Sequence, residues 1–452
     1  MSDLRVGQRA VVIGAGIGGL AVAAALAEFF DSVEVLERDQ LPSDATPRPG
    51  VPQGRHLHGL LGGGLEALSM LFPDLECTLF AAGAVPIRIN ADFCEEIGGH
   101  EKPRRDLGWR GSMQSRPLLE LLLRKALAKL PHVAIRSGVK VLSLCASVDG
   151  ARVTGVHHTV SDGTTDALDA DLVVDASGRG NLTLSLLKAL ERPQPQEVEI
   201  GVDLGYSTAY FSFPNTPPED WLAVLTHADA PQSSRAGVIN RIEDNRWIVT
   251  LIGRGDEQPP ADRDGFMGFA RSLSTPTIYN AIRDARMIGE VSRFFLPAST
   301  RRSFDLTALP ERLIVMGDAL CRFNPIYGQG MSVAACEAVL LKRILQVARP
   351  RRYPLADVGR QFQVDAQRLI DGPWQMSAIP DFIFPATRGK RPEDFAQTLQ
   401  FAVAMSRLAA RDPAVDRLIA EVWHLLQPPT VYQDPNLVAR VMAEMTATQT
   451  AA

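Results

Sequence analysis

One segment constrains this chain more than any other: Ala10-Val11-Val12-Ile13, the spacing Gly14-x-Gly16-x-x-Gly19, an alanine-rich stretch from Leu20 to Phe29, then Val33-Glu34-Val35-Leu36 ending in Glu37. The short apolar runs read as strands buried on both faces, and the stretch between them as a helix. Glycines at this spacing permit a tight turn, close approach of backbone to a pyrophosphate, and close packing of helix on strand. An acid at the end of the second strand accepts a hydrogen bond from a ribose. The whole is a complete βαβ dinucleotide fingerprint, so Gly14, Gly16, Gly19 and Glu37 are read as cofactor ligands. Arg38 follows the acid, where a solvated strand-end charge and a ribose or phosphate contact are equally consistent.

Two later stretches share this grammar. Asp171-Leu172-Val173-Val174-Asp175-Ala176-Ser177-Gly178 is a buried strand ending in an acid and a glycine, which by itself is an ordinary strand-end turn. Leu313-Ile314-Val315-Met316 leads into Gly317-Asp318-Ala319 and then Asn324-Pro325-Ile326-Tyr327-Gly328-Gln329-Gly330-Met331. A helix starting near Gly328 points unpaired N–H groups and partial positive charge at whatever lies before it.

The 452 residues are enough for two or three domains. Lys plus Arg total 47 against 52 acids, for a net charge of -5, so no basic field invites nucleic acid. Cys77, Cys94, Cys145, Cys321 and Cys336 lack zinc spacing and read as reduced thiols of a cytoplasmic protein. Met1 to Arg9 lacks the apolar core of a secretory signal, and no apolar run approaches the ~20 residues that span a bilayer. Leu118 to Leu130 is strongly apolar but carries Glu120, Arg124, Lys125 and Lys129, the pattern of an amphipathic helix. No stable membrane insertion is expected, no metal site, and a monomer or homodimer.

The Gly14–Gly19 fingerprint, the Asp175–Gly178 segment and the Gly317–Asp318 segment resemble, in order and spacing, the three motifs of single-component FAD-dependent monooxygenases of the aromatic-hydroxylase fold. The likeness covers roughly the first 345 residues. Pro52-Gln53-Gly54-Arg55-His56-Leu57-His58-Gly59 and Phe323-Asn324-Pro325 are similar to the branch of bacterial polyether-type olefin epoxidases. The resemblance implies an α/β fold. Its discontinuous Rossmann-like FAD-binding domain comprises 1–75, 105–190 and 285–345. An inserted, mainly antiparallel β-sheet substrate domain comprises 76–104 and 191–284, and a C-terminal helical region 346–452.

Carried over residue by residue, the resemblance places Arg55, Arg116, Val139, Asp175 and Gly178 with the fingerprint residues around FAD. Arg116 would reach the diphosphate, Val139 the adenine, and Asp318 the ribityl chain. Pro325, Gly328, Gly330 and Met331 would line the isoalloxazine. The family often has a histidine soon after the Gly-Asp pair, where this chain has Cys321-Arg322-Phe323. That histidine's role does not transfer.

Glu197 to Phe213 and Gly237 to Gly253 are strand-rich, with a turn around Asn240–Arg246. Tyr206, Tyr210, Phe211, Phe213 and Trp247 are candidates for a substrate cavity wall, and Trp374 is another; packing in a core is the alternative for each. His56 and His58 are candidates to face flavin or substrate. No Ser-His-Asp set appears, and no second glycine fingerprint marks a separate nicotinamide domain. The expected activity is therefore NAD(P)H- and O2-dependent oxygen insertion through a C4a-hydroperoxyflavin, directed at a C=C bond of an apolar polyene or polyketide-like metabolite. Aromatic hydroxylation, alkene reduction by a saturase and a non-catalytic flavin protein remain as alternatives.

Overall fold

The computed structural model describes residues 5–212 and 220–450, without the side chains of 447–450; Phe213 therefore lies outside the described residues. Five parallel strands form the first sheet in the order Leu313–Val315, Leu172–Asp175, Gly7–Ile13, Phe30–Glu37, Val133–Ser137. Their apolar runs are buried, packed against helices such as Ile17–Leu26 and against an antiparallel meander. Register then does the work of assembly. Ile13 lies opposite both Asp175 and Leu36, and Asp175 opposite Val315. The three motifs that follow Ile13, Asp175 and Val315 thus leave the sheet side by side at its carboxyl edge, where doubly wound sheets place their ligands.

Helix Ile17–Leu26 sits close on helix Gln329–Ala348, since Gly18 leaves only 3.2 Å between a would-be Cβ and the Ala334 methyl. A three-stranded antiparallel meander, Lys140–Ala146, Val153–Thr159 and Thr165–Asp169, fills the connection from Val133–Ser137 to Leu172–Asp175.

The larger sheet has eight strands, in the order Cys321–Arg322, Arg286–Ser303, Gln196–Ser212, Arg246–Arg254, Ala236–Ile242, Ala223–Thr226, Phe93–Ile97, His100–Glu101. Only the pair Ala223–Thr226 and Phe93–Ile97 is parallel. Strand Arg286–Ser303 differs from the expected boundary, which assigned residues from 285 onward to the cofactor domain. It pairs with Gln196–Ser212 from Gln196↔Ser303 to Ser212↔Arg286 and is part of the eight-stranded sheet.

Side-chain alternation gives this sheet two faces. Tyr206, Thr208 and Tyr210 share one with Ile252, Thr250 and Ile248 opposite them, and this face meets the cofactor domain through the bond between Thr208 Oγ1 and His56 Nδ1, 2.8 Å. Phe211 and Trp247 are paired on the other face, each 1% exposed, packed with Phe266, Phe269, Ile278 and Ile282 of the helices Arg263–Arg271 and Thr277–Ile282. They are core residues of a second hydrophobic cluster and turn away from the cofactor domain, a correction to their reading as cavity wall.

The C-terminal helices are Val358–Ser377, Phe395–Arg411, Pro413–Trp423 and Pro435–Thr450. Asp412 caps the third by accepting from the Ala414 and Val415 N–H groups at 2.8 and 3.4 Å.

Because Trp247 belongs to the far core, Trp247→Ala should cost about 3–5 kcal/mol of stability in chemical denaturation. The folded fraction should keep wild-type FAD affinity; a parallel loss of affinity would place Trp247 at the site.

Candidate cofactor and active site

A cavity of about 720 Å³ opens at the carboxyl edge of the parallel sheet, walled by all three motifs. Gly19 is the packing glycine: a Cβ there would stand 1.9 Å from the Gly14 carbonyl oxygen. Gly16 is different. A Cβ there would meet only Arg116 Nη2, at 3.8 Å, and would project toward the cavity. Helix Ile17–Leu26 has no side-chain cap and no acid in its first turn, so its amino end is left for an anion.

A chain of buried charges fixes the wall around that helix. Glu37 is 5% exposed, and its carboxylate accepts from the Ala15 N–H (2.8 Å) and the Asp39 N–H (3.0 Å). Arg48, also 5% exposed, lies 3.0 Å from Glu37, 2.8 Å from Asp39 and 3.2 Å from Glu120. Glu120 in turn accepts from Arg116 Nε at 2.9 Å. Arg116 Nη1 donates to His58 Nε2 at 3.4 Å, while His58 Nδ1 donates to the His56 carbonyl at 2.9 Å. Burial and the Arg116 charge hold His58 neutral, pulled down to about 3. With Nε and Nη1 engaged, Arg116 keeps Nη2 for the fingerprint, the placement a diphosphate ligand requires.

Asp318 lines the cavity and accepts no hydrogen bond from any described residue; burial pushes its carboxyl up from the ordinary value. Beneath it the Gly317 N–H donates to Glu337 Oε2 at 2.7 Å. Glu337 is fully buried, its other oxygen has no partner, and burial raises it to about 8. Pro325, Gly328, Gly330 and Met331 form the next part of the wall, with the uncapped amino end of helix Gln329–Ala348 among them. Leu57, Phe294, Leu296 and Phe323 supply an apolar side. Arg322, where the family often has a histidine nearby, lines the cavity and donates weakly to Thr300 Oγ1 at 3.2 Å.

Of the residues expected around the cofactor, Gly14, Gly16, Gly19, Glu37, Arg38, Arg116, Val139, Gly178, Asp318, Pro325, Gly328, Gly330 and Met331 line this one cavity. The Val139 N–H is already given to the Glu37 carbonyl at 2.8 Å. Arg55 and Asp175 are outside the lining. Arg55 is exposed, while Asp175 is fully buried and its carboxylate holds its own loop, accepting from Ser177 Oγ and Thr183 Oγ1 at 2.6 Å each.

His56 sits behind the wall rather than on it. It is 2% exposed, between Tyr206 and Phe294 at ring distances of 6.0 and 5.7 Å, and burial lowers it to about 4. Tyr210 lies under the Arg246 guanidinium, 5.7 Å from its ring centre, and Trp374 packs on Phe323 at 6.5 Å; neither is in the cavity lining. Arg48, Glu120 and Glu337 were missed by sequence reasoning: the Arg48–Glu120 pair spans 72 residues and Glu337 reaches back to the Gly317 N–H, 20 residues before it.

The cavity fits FAD on its own features. An uncapped helix end and a free guanidinium nitrogen suit the diphosphate, an unpartnered carboxylate suits a polyol, and a second uncapped helix end suits an electron-rich ring system.

Residues 8–349 match the FAD binding domain family. The chain is 32% identical over 391 residues to Protein Rv3254 of Mycobacterium tuberculosis, covering 83% of this chain and 80% of that protein. It is 25% identical over 373 residues to kynurenine 3-monooxygenase of Salinispora tropica, covering 77% and 75%. Among solved structures, p-nitrophenol 4-monooxygenase PnpA of Pseudomonas putida DLL-E4 superposes with a TM-score of 0.66 at 17% identity, covering 92% of this chain and 99% of that one. That likeness is one of fold.

The two fingerprint glycines should separate on mutation. Gly16→Ala should leave the fold intact and weaken FAD at least tenfold, about 1.4 kcal/mol, in a flavin-fluorescence titration. Gly19→Ala should fail to give folded protein; a folded, FAD-replete Gly19→Ala would contradict the packing described.

Glu337 gives a pH test. Its folded value of about 8 exceeds its ordinary value of 4.5, so between them the native state holds the extra proton and stability falls as pH rises. Glu337→Gln should flatten that decline, by on the order of 1.4 kcal/mol per pH unit at most, in urea midpoints measured across the window. Equal slopes in the two proteins would show that Glu337 is not the group responsible.

Proposed function

This chain belongs to the FAD binding domain family, and we propose that it directs an oxygen atom to a C=C bond of an apolar, polyene or polyketide-like metabolite. It is an FAD-dependent monooxygenase. When bound, FAD would supply hydride acceptance from NAD(P)H and, with O2, the delivery of one electrophilic oxygen atom. The remaining tasks fall to the chain: holding the cofactor, orienting the substrate, excluding water and managing charge.

Arg116 and the amino end of helix Ile17–Leu26 would hold the diphosphate, with Asp318 on the polyol. The amino end of helix Gln329–Ala348 would favour negative charge on the reduced ring by roughly 0.3–2 kcal/mol, more where water is excluded. Leu57, Phe294, Leu296 and Phe323 give that side of the cavity an apolar surface that retains a hydrocarbon and keeps water from the reacting atoms.

The observation that carries the alkene reading is the apolar side of the cavity formed by Leu57, Phe294, Leu296 and Phe323. Epoxidation needs no protein base, whereas hydroxylation of a phenol gains from one poised near neutral pH. His58 is too weak a base at about 3, and its Nε2 is committed to Arg116. Aromatic hydroxylation is the second reading, favoured by the similarity to kynurenine 3-monooxygenase.

Purified protein loaded with FAD should bleach on anaerobic NADPH or NADH addition and recover its colour in air. Oxygen uptake should rise with an apolar alkene, and mass spectrometry should find one oxygen atom added across the double bond. Ring hydroxylation instead selects the second reading, and anaerobic saturation of the alkene selects a reductase. Absence of both bleaching and substrate-dependent oxygen uptake across alkenes and phenols would end the monooxygenase reading.

A further inference from the structure

Asp381 lies in the short helical turn Ile379–Ile383, beyond the residues 8–349 matched by the family. Its side chain is fully buried, 0% exposed. Four donor contacts converge on it from two other parts of the molecule. Oδ1 accepts from Arg254 Nη2 at 2.6 Å, Tyr327 Oη at 2.9 Å and Asn324 Nδ2 at 3.1 Å, and Oδ2 lies 3.0 Å from the same Asn324 nitrogen.

Arg254 comes from the substrate sheet and is stacked over the Phe384 ring, 4.6 Å from its centre. Asn324 and Tyr327 bracket the loop that carries Pro325 to the cavity wall and leads into helix Gln329–Ala348. The fully buried Asn324 also accepts from the Ile326 N–H at 3.1 Å, so both functional groups of its amide fix the loop. Outside the carboxylate, the C-terminal region also touches the flanks of the loop: the Trp374 ring lies 6.5 Å from Phe323, the Trp423 ring 5.9 Å from Tyr327, and Gln329 Nε2 donates to the Trp423 carbonyl at 3.3 Å.

A buried carboxylate is expensive unless paired and hydrogen-bonded, and a hydrophobic filler of this space would do for stability alone. What a filler cannot do is hold Arg254, Asn324 and Tyr327 in one fixed relation. We propose that Asp381 is a positioning residue for the cofactor site: through Asn324 and Tyr327 it sets where Pro325 and the amino end of helix Gln329–Ala348 stand against the cavity, and through Arg254 it locks that position to the substrate sheet. The C-terminal region is then a working part of the site. This inference rests on the reading that the cavity holds FAD and is independent of which bond is oxidised.

The test is Asp381→Asn in the FAD-loaded full chain, compared with wild type. The variant keeps the shape but removes the charge and turns an N–H group toward donors. Loss of a negative charge beside the site favours the reduced, anionic cofactor, so the midpoint potential of bound flavin should move to more positive values. The visible flavin bands should shift, and peroxide released per NAD(P)H consumed should rise several-fold. Tyr327→Phe removes one hydrogen bond without a charge; it should shift the visible bands and leave the potential near wild type.

A fall in melting temperature with unchanged potential and bands would make Asp381 a structural tie and overturn the inference. If Asp381→Asn does not fold, Tyr327→Phe decides by its bands alone: a shift upholds the positioning role, and a wild-type spectrum overturns it. Failure of the wild-type protein to retain FAD is a separate outcome that sinks the cofactor reading itself.

Discussion

The alignment of Ile13, Asp175 and Val315 across three neighbouring parallel strands is the constraint on which the rest depends. These residues are separated by more than a hundred positions in the chain at each step, yet each is the Cα partner of the next. A slip of one residue would turn each side chain to the opposite sheet face and stagger the turns that follow. In register, the glycine turn, the Asp175 loop and the Gly317–Asp318 turn form one edge, and the cavity is the space between them.

What that edge presents is electrostatic. Two uncapped helix ends point at the cavity, and the charges near them are arranged so that few are free. Arg48 is bound by three carboxylates and Glu120 by two arginines, so Glu37 and Arg116 are oriented before any ligand arrives. Burying such a set costs desolvation that the attraction between its members offsets incompletely, which argues for a role in geometry more than in stability. Each ligand contact then made by Arg116 Nη2 loses less side-chain freedom than it would from a mobile arginine.

The parts of this arrangement legible in sequence are those with local steric causes. The fingerprint, the second strand-end glycine and the Gly-Asp turn each impose their own backbone, and the cofactor residues read from them line one cavity, apart from Arg55 and Asp175. The substrate side was read less well for a physical reason. Which of Tyr210, Phe211 and Trp247 faces the cofactor domain depends on strand register, and Phe211 with Trp247 fell on the far face. Contacts such as Arg48 with Glu120, 72 residues apart, and Arg254 with Asp381, 127 apart, leave no mark in local composition. Arg286–Ser303 carries four arginines and a glycine, which hides a strand whose partners are Gln196–Ser212 and Cys321–Arg322.

Gly62-Gly63-Gly64 shows how the C-terminal region is joined to the site. It opens helix Gly62–Leu71, and its glycines serve packing. A Cβ on Gly64 would lie 2.4 Å from Ser332 Oγ, and one on Gly63 2.6 Å from the Leu425 carbonyl oxygen. The same turn gives its N–H groups to the C-terminal segment: Gly62 to His424 Nδ1 at 3.0 Å, Gly63 to the His424 carbonyl at 2.7 Å. His424 must be neutral to accept, and burial keeps it so, at about 4. Helix Gly62–Leu71, helix Gln329–Ala348 and the chain at His424–Leu425 therefore meet at close range, through contacts that include the Ser332 hydroxyl and the His424 imidazole. Bulk at this junction would push helix Gln329–Ala348, and with it the Gly328 end at the cavity, so the tail's packing and the cofactor wall are set together.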